Sequence, residues 1–236
     1  MKYVRSLLFN LFYFSWTLFM SFIGCLLFLF PKRAALANAR VWSVVTMKAM
    51  KILTGLTYRV EGLENLPANR PFIIASKHQS AFETIAFHSI FPAPVFILKK
   101  ELLWLPLFGW NLLKTGCIPI DRSSGTKAMR SILEGSKKRL AEGLTVVIFP
   151  EGTRTAPGTT NKYNPGIGLL YEQCDVPVVP VVLNSGEFWR RKAFVKLAGT
   201  ITVRILPPME KGLGKREMIE KLQNEIETAY KELPRS

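Results

Sequence analysis

Residues 72–83 read Phe-Ile-Ile-Ala-Ser-Lys-His-Gln-Ser-Ala-Phe-Glu, an apolar run that gives way abruptly to polar residues. The apolar half suits a buried strand, and the residues from Ala81 to Phe91 suit a helix. A strand that leads into a helix is typical of a parallel sheet, and ligands usually bind at the C-terminal edge of such a sheet. The stretch therefore predicts an α/β domain that places polar side chains at this edge.

The same alternation of strands and helices continues along the chain from residue 57. It predicts a largely parallel central sheet flanked by helices. The predicted strands are Tyr58–Gly62, Phe72–Ser76, Val95–Leu98, Cys117–Ile120, Thr145–Phe149, Val178–Leu183 and Ile201–Leu206. The predicted helices are Ala81–Phe91, Thr126–Gly143, Gly166–Cys174 and Gly214–Leu233.

The N-terminal segment differs from this domain in composition. Leu7 to Phe30 is a run of 24 residues without a charge, long enough at ~1.5 Å per residue to cross a ~30 Å hydrocarbon core. A cleaved signal peptide is the alternative, but its apolar core would be only ~7–15 residues long. Lys32 and Arg33 also separate the run from the small residues that resemble a cleavage site. A retained membrane helix over 7–30 is the better interpretation.

A second helix is predicted over 34–56. Arg40, Lys48 and Lys51 fall on one face at ~100° per residue, which indicates an amphipathic helix at a lipid surface. An ordinary surface helix is the alternative. The chain thus divides into a membrane-binding segment, 1–56, and a main domain, 57–236. Because basic residues are more numerous after the apolar run than before it, a spanning helix would leave the main domain in the cytoplasm. A shallow hairpin in one leaflet fits equally well.

The net charge of +15 indicates an anionic partner, either nucleic acid or anionic lipid. The first sixty residues carry eight Lys or Arg and no acidic residue, and these charges flank apolar runs. This distribution favours membrane phospholipid. Nucleic-acid binding would call for aromatic residues among the basic ones on a soluble face, so no nucleic-acid partner is expected. The three cysteines match no metal or redox spacing.

Four predicted strands end in polar or unusual residues. His78 follows the second strand, and Glu83, five residues later, can orient its ring so that the other nitrogen acts as a general base. A packed or capping histidine is the alternative, and His88, in an apolar stretch, is interpreted in that way. Arg122 follows the fourth strand and has the forked donors that suit a phosphate. A surface salt bridge with its neighbour Asp121 is the alternative.

The fifth strand leads into Pro150-Glu151-Gly152-Thr153-Arg154, where Gly152 permits a close backbone approach and Glu151 and Arg154 supply an acceptor and a cation. The alternative is a surface turn whose polar side chains have no role in binding. The sixth strand contains Val179-Pro180-Val181, and a proline within a ladder suggests an edge strand or a bulge.

In this order the motifs resemble those of the glycerolipid acyltransferases, most closely the bacterial 1-acylglycerol-3-phosphate acyltransferases. The matching segments cover roughly 63–184, and the Phe-Pro-Glu-Gly-Thr-Arg string is unsubstituted. They are Lys77-His78-Gln79-Ser80-Ala81-Phe82-Glu83, Lys99-Lys100-Glu101-Leu102, Pro106-Leu107-Phe108-Gly109, Ile120-Asp121-Arg122, Phe149–Arg154 and Val179-Pro180-Val181. Two departures stand out: Glu83 replaces the usual Asp, and Lys77 replaces the usual Asn.

The resemblance implies transfer of an acyl group from an acyl carrier protein or coenzyme A thioester to lysophosphatidic acid. His78 would be the base and Glu83 its orienting partner. Arg122 would hold the phosphate, helped by Lys100 and Arg154, while Glu151, Gly152 and Thr153 would shape the acceptor site. No metal or cofactor is expected, because a thioester is already activated.

Two alternatives stay open at this point. The first keeps the chemistry but changes the acceptor, to glycerol 3-phosphate or a lyso-lipid with an amino-acid headgroup. The second is a membrane lipid-binding protein without turnover, which only the substitution at Glu83 favours.

Overall fold

The computed structural model describes residues 1–234. Its centre is a seven-stranded sheet in the order β1-β7-β6-β2-β5-β3-β4. Every pairing is parallel except β6 with β7, which is antiparallel. The predicted α/β class with a largely parallel sheet is confirmed, and each predicted strand is present within a few residues. The strands are β1 Leu56–Glu61, β2 Ile73–Ser76, β3 Pro94–Lys99, β4 Ile118–Ile120, β5 Thr145–Ile148, β6 Val178–Leu183 and β7 Gly199–Ile205.

Eight α-helices surround this sheet in the described part of the chain. The four helices predicted for the main domain are confirmed. Two others, α4 and α7, were missed, and α7 has only four residues, too few to show a helical period. The helices are α1 Lys2–Leu26, α2 Lys32–Thr54, α3 Phe82–Ile90, α4 Phe108–Thr115, α5 Thr126–Ala141, α6 Gly166–Gln173, α7 Ser185–Phe188 and α8 Lys215–Lys231.

The two faces of the sheet support separate apolar cores because successive strand residues point to opposite sides. In β2, Ile74 joins the core that includes α2 and α3, whereas Ile73 and Ala75 join the core that includes α5, α6 and α8. Both cores exclude water from β2, which is fully buried. The strand therefore delivers the polar residues that follow it to a fixed point at the edge of the sheet.

The amphipathic helix ends two residues earlier than predicted. Gly55 adopts a left-handed conformation with φ of 74°, which ends α2 at Thr54 and lets Leu56 begin β1. The predicted basic face is exposed, but the apolar face packs into the core of the protein through Trp42, Met47 and Met50. These three side chains therefore contact protein, while two other apolar residues of the helix, Val41 and Ile52, are exposed.

The apolar N-terminal helix has the opposite character. It extends over Lys2–Leu26 and continues as a 3-10 turn over Leu27–Leu29, so it starts earlier than the predicted 7–30. By length and composition it is apolar enough to cross a membrane, and only 17% of its most apolar window is buried. Its exposed side chains include Leu7, Leu8, Leu11, Phe14, Leu18, Phe19, Phe22 and Leu26.

Both ends of α1 nevertheless contact the main domain. Near its start, the amide of Asn10 donates to the carbonyl of Phe194 at 3.1 Å. Near its end, the amide of Asn111 on α4 donates to the carbonyl of Ser21 at 2.8 Å. A Cβ at Gly24 would lie 1.7 Å from the Asn111 side chain, so the two helices require glycine there. The helix therefore lies along the domain over most of its length.

The interpretation of Pro180 as an edge or bulge residue was wrong. Strand β6 lies inside the sheet, between β7 and β2. The ladder with β7 begins only at Val181, opposite Ile205, and the carbonyl of Pro180 still accepts from Leu206 N at 3.0 Å. The proline is tolerated because its missing N–H faces the point at which β7 ends.

Candidate active site

His78 and Glu83 meet directly after β2. His78 Nδ1 lies 3.6 Å from Glu83 Oε1, and the His78 ring stacks on Phe149, with ring centroids 3.9 Å apart. Nδ1 is buried without a hydrogen-bond partner, while the ring itself lines a cavity. The ring is thus held so that Nδ1 faces the carboxylate and Nε2 is left for the cavity, as a general base requires.

The local sequence fixes Glu83 through a helix-capping arrangement. Ser80 Oγ accepts from Phe82 N at 2.9 Å, and Glu83 Oε1 accepts from Ser80 N at 3.0 Å. This reciprocal pattern resembles a capping box with its Ser-x-x-Glu spacing, but the Ser80 hydroxyl accepts from residue 82 and not from residue 83. Oε1 also accepts from Gln79 N at 2.5 Å, and Oε2 accepts from Ser80 Oγ at 2.8 Å. Glu83 is one methylene longer than an aspartate, and its carboxylate bends back to accept from the backbone N–H groups of Gln79 and Ser80.

These contacts keep Glu83 ionised although it is completely buried. Burial by itself would raise the pKa of the Glu83 carboxyl. The adjacent His78 ring acts against burial, as do the backbone N–H groups of Gln79 and Ser80, and together they bring the pKa of Glu83 below its usual range. A buried carboxylate facing Nδ1 can stabilise the imidazolium that forms when Nε2 takes a proton.

The cavity in front of His78 has a volume of about 950 Å³, near the upper end of the ~300–1,000 Å³ typical of ligand pockets. Its walls are mainly apolar and come from α1, α2, α3, β3 and α4. The apolar wall residues include Met20, Trp42, Phe96, Leu98, Leu105, Phe108 and Leu112. Such a cavity suits a long apolar chain whose reactive end lies beside His78.

The cavity wall also carries basic side chains. Arg122, at the end of β4, and Arg154, after β5, both line the cavity, as the sequence predicted for an anion site. Arg191 also lines it and donates to the carbonyl of Arg154 at 3.5 Å. Arg191 was missed because it lies in a loop after α7 that no motif marks. Three guanidinium groups at one cavity suit a phosphate.

The turn after β5 shapes this wall. Gly152 and Thr153 line the cavity beside Arg154. Gly152 has a φ of +69°, and a Cβ there would lie 2.7 Å from the side-chain nitrogen of Asn164. The turn therefore requires glycine, which allows the backbone to bring Arg154 to the cavity.

Lys100 does not line the cavity with these arginines. Its ammonium pairs with the Asp121 carboxylate, and Lys100 is not among the residues that line the cavity. The hydrogen bond from Lys100, together with those from Ser123, lowers the pKa of Asp121 to about 2. Lys100 therefore holds the Asp-Arg turn rather than pointing at the cavity.

Glu151 lies behind His78 and outside the cavity lining. Its side chain is completely buried and pairs with Lys77, whose ammonium lies 3.1 Å from Oε1. Its other oxygen accepts from the backbone N–H of His78 at 3.2 Å. The expectation that Glu151 shapes the acceptor site directly is therefore not what the structure shows. The substitution of Lys77 for Asn was the one signal in the sequence that pointed to this pairing.

His88, interpreted as a packed histidine, is buried, and its ring contacts Trp42 and Phe96 edge-on. Burial lowers its pKa to about 4, so the ring is neutral near pH 7. It also borders the cavity, which the sequence did not predict.

Comparison with known proteins identifies the family. Residues 57–184 match the sequence model described as Acyltransferase, which covers more than half of the chain. The chain belongs to the acyltransferase family. The matched segment contains His78, Glu83, Arg122 and the turn that carries Arg154. The resemblance inferred from the motifs is thereby confirmed, and the chain is an enzyme of this class.

Named relatives of this acyltransferase agree with one another. It is 37% identical over 180 residues to a 1-acyl-sn-glycerol-3-phosphate acyltransferase of Pseudomonas aeruginosa, covering 76% of this chain and 70% of the relative. It is 31% identical over 195 residues to the human 1-acyl-sn-glycerol-3-phosphate acyltransferase alpha, covering 79% of this chain and 69% of that protein.

A solved structure shares the fold of this acyltransferase. It is the 1-acyl-sn-glycerophosphate acyltransferase of Thermotoga maritima, which superimposes with a TM-score of 0.75 over 99% of both chains at 21% identity. The similarity extends over the N-terminal helices as well as the main domain. The predicted architecture, an α/β domain preceded by an apolar helix, is therefore confirmed.

Proposed function

We propose that this acyltransferase moves a fatty acyl group from an acyl thioester to the free hydroxyl of 1-acylglycerol 3-phosphate, which yields phosphatidic acid for phospholipid biosynthesis. The observation that supports this proposal best is the position of His78, backed by Glu83, in a cavity that is apolar along one wall and lined by Arg122 and Arg154 on another. The names of the relatives point to the same acceptor.

In the proposed reaction, His78 Nε2 takes the proton of the acceptor hydroxyl while its oxygen attacks the thioester carbonyl carbon. A C–O bond forms, the C–S bond breaks, and the departing thiolate receives the proton from the His78 imidazolium. Glu83 stabilises that imidazolium through Nδ1. A thioester is activated toward attack, so we propose that the transfer requires no metal and no cofactor, with acyl-CoA or acyl carrier protein as co-substrate.

A covalent route through Ser80 is less suitable. Ser80 is fully buried and is absent from the cavity wall. Its hydroxyl donates to Glu83 and accepts from Phe82 N rather than contacting His78. A nucleophilic serine requires a base within hydrogen-bond reach and access to the carbonyl, and these contacts favour direct transfer.

The basic wall supports a phosphate headgroup. Guanidinium groups bind phosphate through paired N–H donors, and Arg122, Arg154 and Arg191 border the cavity together. Glycerol 3-phosphate has the phosphate but lacks the acyl chain that the apolar wall suits. A lyso-lipid with an amino-acid headgroup offers a carboxylate that can also bind a guanidinium, so it is the acceptor to test against lysophosphatidic acid.

We propose further that α1 lies within one leaflet of the membrane rather than crossing it. Its ends contact Phe194 and α4, so a spanning helix would draw the domain into the bilayer. Two further apolar side chains are exposed on the segment that packs against the end of α1: Trp104 is 74% exposed and Trp110 is 50% exposed. We call α1 with these two tryptophans the apolar rim. A basic protein attached in this way suits the anionic cytoplasmic face of a bacterial inner membrane.

The test of activity uses purified protein in detergent. Lysophosphatidic acid, glycerol 3-phosphate and an amino-acid-headgroup lyso-lipid are each offered with acyl-CoA and with acyl carrier protein thioester. We expect phosphatidic acid to form with the first acceptor, and His78→Ala to abolish it while circular dichroism stays unchanged. Product only from another acceptor would replace the acceptor in the proposal. No product from any combination would favour a lipid-binding protein without turnover.

The test of membrane attachment uses sedimentation with anionic vesicles. Trp104→Ser should weaken vesicle binding and leave activity in detergent unchanged. Leu63→Ser is the matched control, because Leu63 is 53% exposed and lies outside the apolar rim. Equal vesicle binding by both variants and the wild type would show that the rim does not contact lipid.

A further inference from the structure

A buried charge cluster lies behind His78, on the side away from the cavity. Lys77 is completely buried, and its ammonium lies 3.1 Å from Glu151 Oε1 and 2.6 Å from Glu227 Oε1. It also lies 5.0 Å from the centroid of the Tyr230 ring. None of these residues lines the cavity. A buried ammonium without partners would be strongly unfavourable, so the two carboxylates are required where Lys77 is present.

The cluster joins three separate parts of the chain. Lys77 follows β2, Glu151 follows β5, and Glu227 lies on α8. Glu227 Oε2 also accepts from Thr160 Oγ1 at 3.0 Å. Helix α8 lies outside the segment that matches the family, residues 57–184, and it contacts Lys77 through the Glu227 carboxylate and the Tyr230 ring.

The cluster acts on His78 through its backbone. Glu151 Oε2 accepts from His78 N at 3.2 Å and from Thr155 Oγ1 at 2.8 Å. Thr155 N donates to the carbonyl of His78 at 2.8 Å. Both polar groups of the His78 main chain are therefore held by the turn after β5. The position of that turn depends on Glu151, which is oriented by Lys77.

We propose that Lys77, Glu151 and Glu227 are positioning residues that set the backbone of the catalytic histidine, with helix α8 supplying the carboxylate that balances Lys77. The proposal rests on the acyl-transfer function proposed above. It also explains why lysine can stand where the family usually has asparagine: Glu227 offers the lysine a second negative charge.

The contacts give a definite rule for substitutions. Without the ammonium, Glu151 and Glu227 would face each other with no positive charge between them, and repulsion would move Glu151 away from His78 N. Removing Glu227 as well should relieve that repulsion. A neutral Asn at position 77 could then donate to Glu151 alone. Loss of Lys77 should therefore be corrected by a second loss at Glu227.

The experiment measures kcat and KM for both substrates in four proteins: wild type, Lys77→Asn, Glu227→Gln and the double variant. We expect Lys77→Asn to lower kcat ~10- to 100-fold, the range that a shift of about 1 Å in a reacting group produces. KM should change less than about twofold, since the cluster does not touch the cavity. The double variant should be faster than Lys77→Asn.

Glu220→Gln is the matched control. Glu220 lies on the same helix, carries the same charge and pairs with Arg216, but its side chain is 65% exposed. Its kcat should equal that of the wild type. If the losses in Lys77→Asn and Glu227→Gln simply multiply in the double variant, or if KM rises while kcat is unchanged, the proposal is overturned. An inactive wild type would instead contradict the proposed function and leave nothing to attribute to the cluster.

A second pair of variants covers the case in which Lys77→Asn does not fold. Thr155→Val keeps the shape of the side chain but removes the hydroxyl that donates to Glu151, and Thr155→Ser keeps the hydroxyl. We expect a several-fold loss of kcat in Thr155→Val and its recovery in Thr155→Ser, at unchanged KM. Equal kcat in the two variants would contradict a positioning role for Glu151.

Discussion

Glu83→Gln is the sharpest test of the catalytic arrangement. The substitution keeps the size of the side chain and removes its charge. The amide oxygen of glutamine can replace Oε1, which accepts from the backbone N–H groups of Gln79 and Ser80. The amide nitrogen would then face Ser80 Oγ, whose hydroxyl can rotate and accept. The capping arrangement is thus largely retained, so the variant should fold and mainly lose the negative charge beside His78.

The size of the loss follows from the distance between the two groups. At 3.6 Å from His78 Nδ1 to Glu83 Oε1 and an effective dielectric constant of ~20, the imidazolium and the carboxylate attract each other by about 4–5 kcal/mol. This attraction exists only when His78 has taken the proton, so its loss raises the barrier and not the ground-state binding energy. Since ~1.4 kcal/mol corresponds to tenfold in rate, kcat should fall about 10³-fold.

The assay is the initial rate of phosphatidic acid formation in detergent, with saturating thioester and varied lysophosphatidic acid. KM should change little, because Glu83 does not line the cavity. His78→Ala should be at least as slow as Glu83→Gln, and the double variant should be no slower than His78→Ala, because both residues act through one imidazole. Glu134→Gln, which removes an exposed carboxylate paired with Arg130, is the control. If Glu83→Gln keeps more than about a tenth of the wild-type kcat, the charge of Glu83 does not assist the base and the reasoning fails.

Three further predictions follow from the structure. Arg122→Met should raise KM for lysophosphatidic acid about 10- to 100-fold, since a hydrogen bond to a charged group contributes ~1.5–3 kcal/mol. Lys100→Met should change this KM less than about threefold, because Lys100 faces Asp121 instead of the cavity. Equal effects of the two substitutions on KM would show that Lys100 binds the acceptor. Asp121 has a pKa of about 2, below its ordinary 3.8, so its contribution to folding stability is complete above pH ~4 and is lost as the pH falls toward ~2. Carboxyl NMR should show that Asp121 titrates with this pKa, and that the pKa rises toward 3.8 in Lys100→Met. An unchanged pKa in Lys100→Met would exclude Lys100 as the cause. Gly109→Ala should lower the free energy of unfolding by about 1–3 kcal/mol, because a Cβ there would lie 2.2 Å from the carbonyl oxygen of Leu103. The change is measured from the denaturant midpoint. Wild-type stability in this variant would mean that the turn can shift without cost.

Much of this acyltransferase could be predicted from the order of its residues. The strands alternate with helices in the sequence, and β-branched and aromatic runs mark each strand, so the parallel sheet was predictable element by element. The residues at the strand ends were predictable for the same reason, because parallel strands bring their C-terminal ends to one edge. His78, Arg122 and Arg154 were expected at a common site on this ground, and they line one cavity.

The tertiary structure decided which of these side chains face the cavity. Glu151 and Lys100 carry charges that suit a substrate-binding role, but one is buried against Lys77 and the other pairs with Asp121. Arg191 carries no motif and nevertheless lines the cavity. A sequence shows which charged residues are present, whereas the partner of each charged side chain depends on contacts between residues tens of positions apart.

The N-terminal segment shows the same division. The uncharged, apolar composition of residues 7–30 determined that the first helix is apolar. The spacing of polar and apolar residues three and four positions apart determined that the second helix is amphipathic. Composition could not determine what covers an apolar face. The face of α2 is buried in the core of the protein, while much of α1 is left exposed. A local pattern fixes the face of a helix, but only the packing of the whole chain fixes what that face contacts.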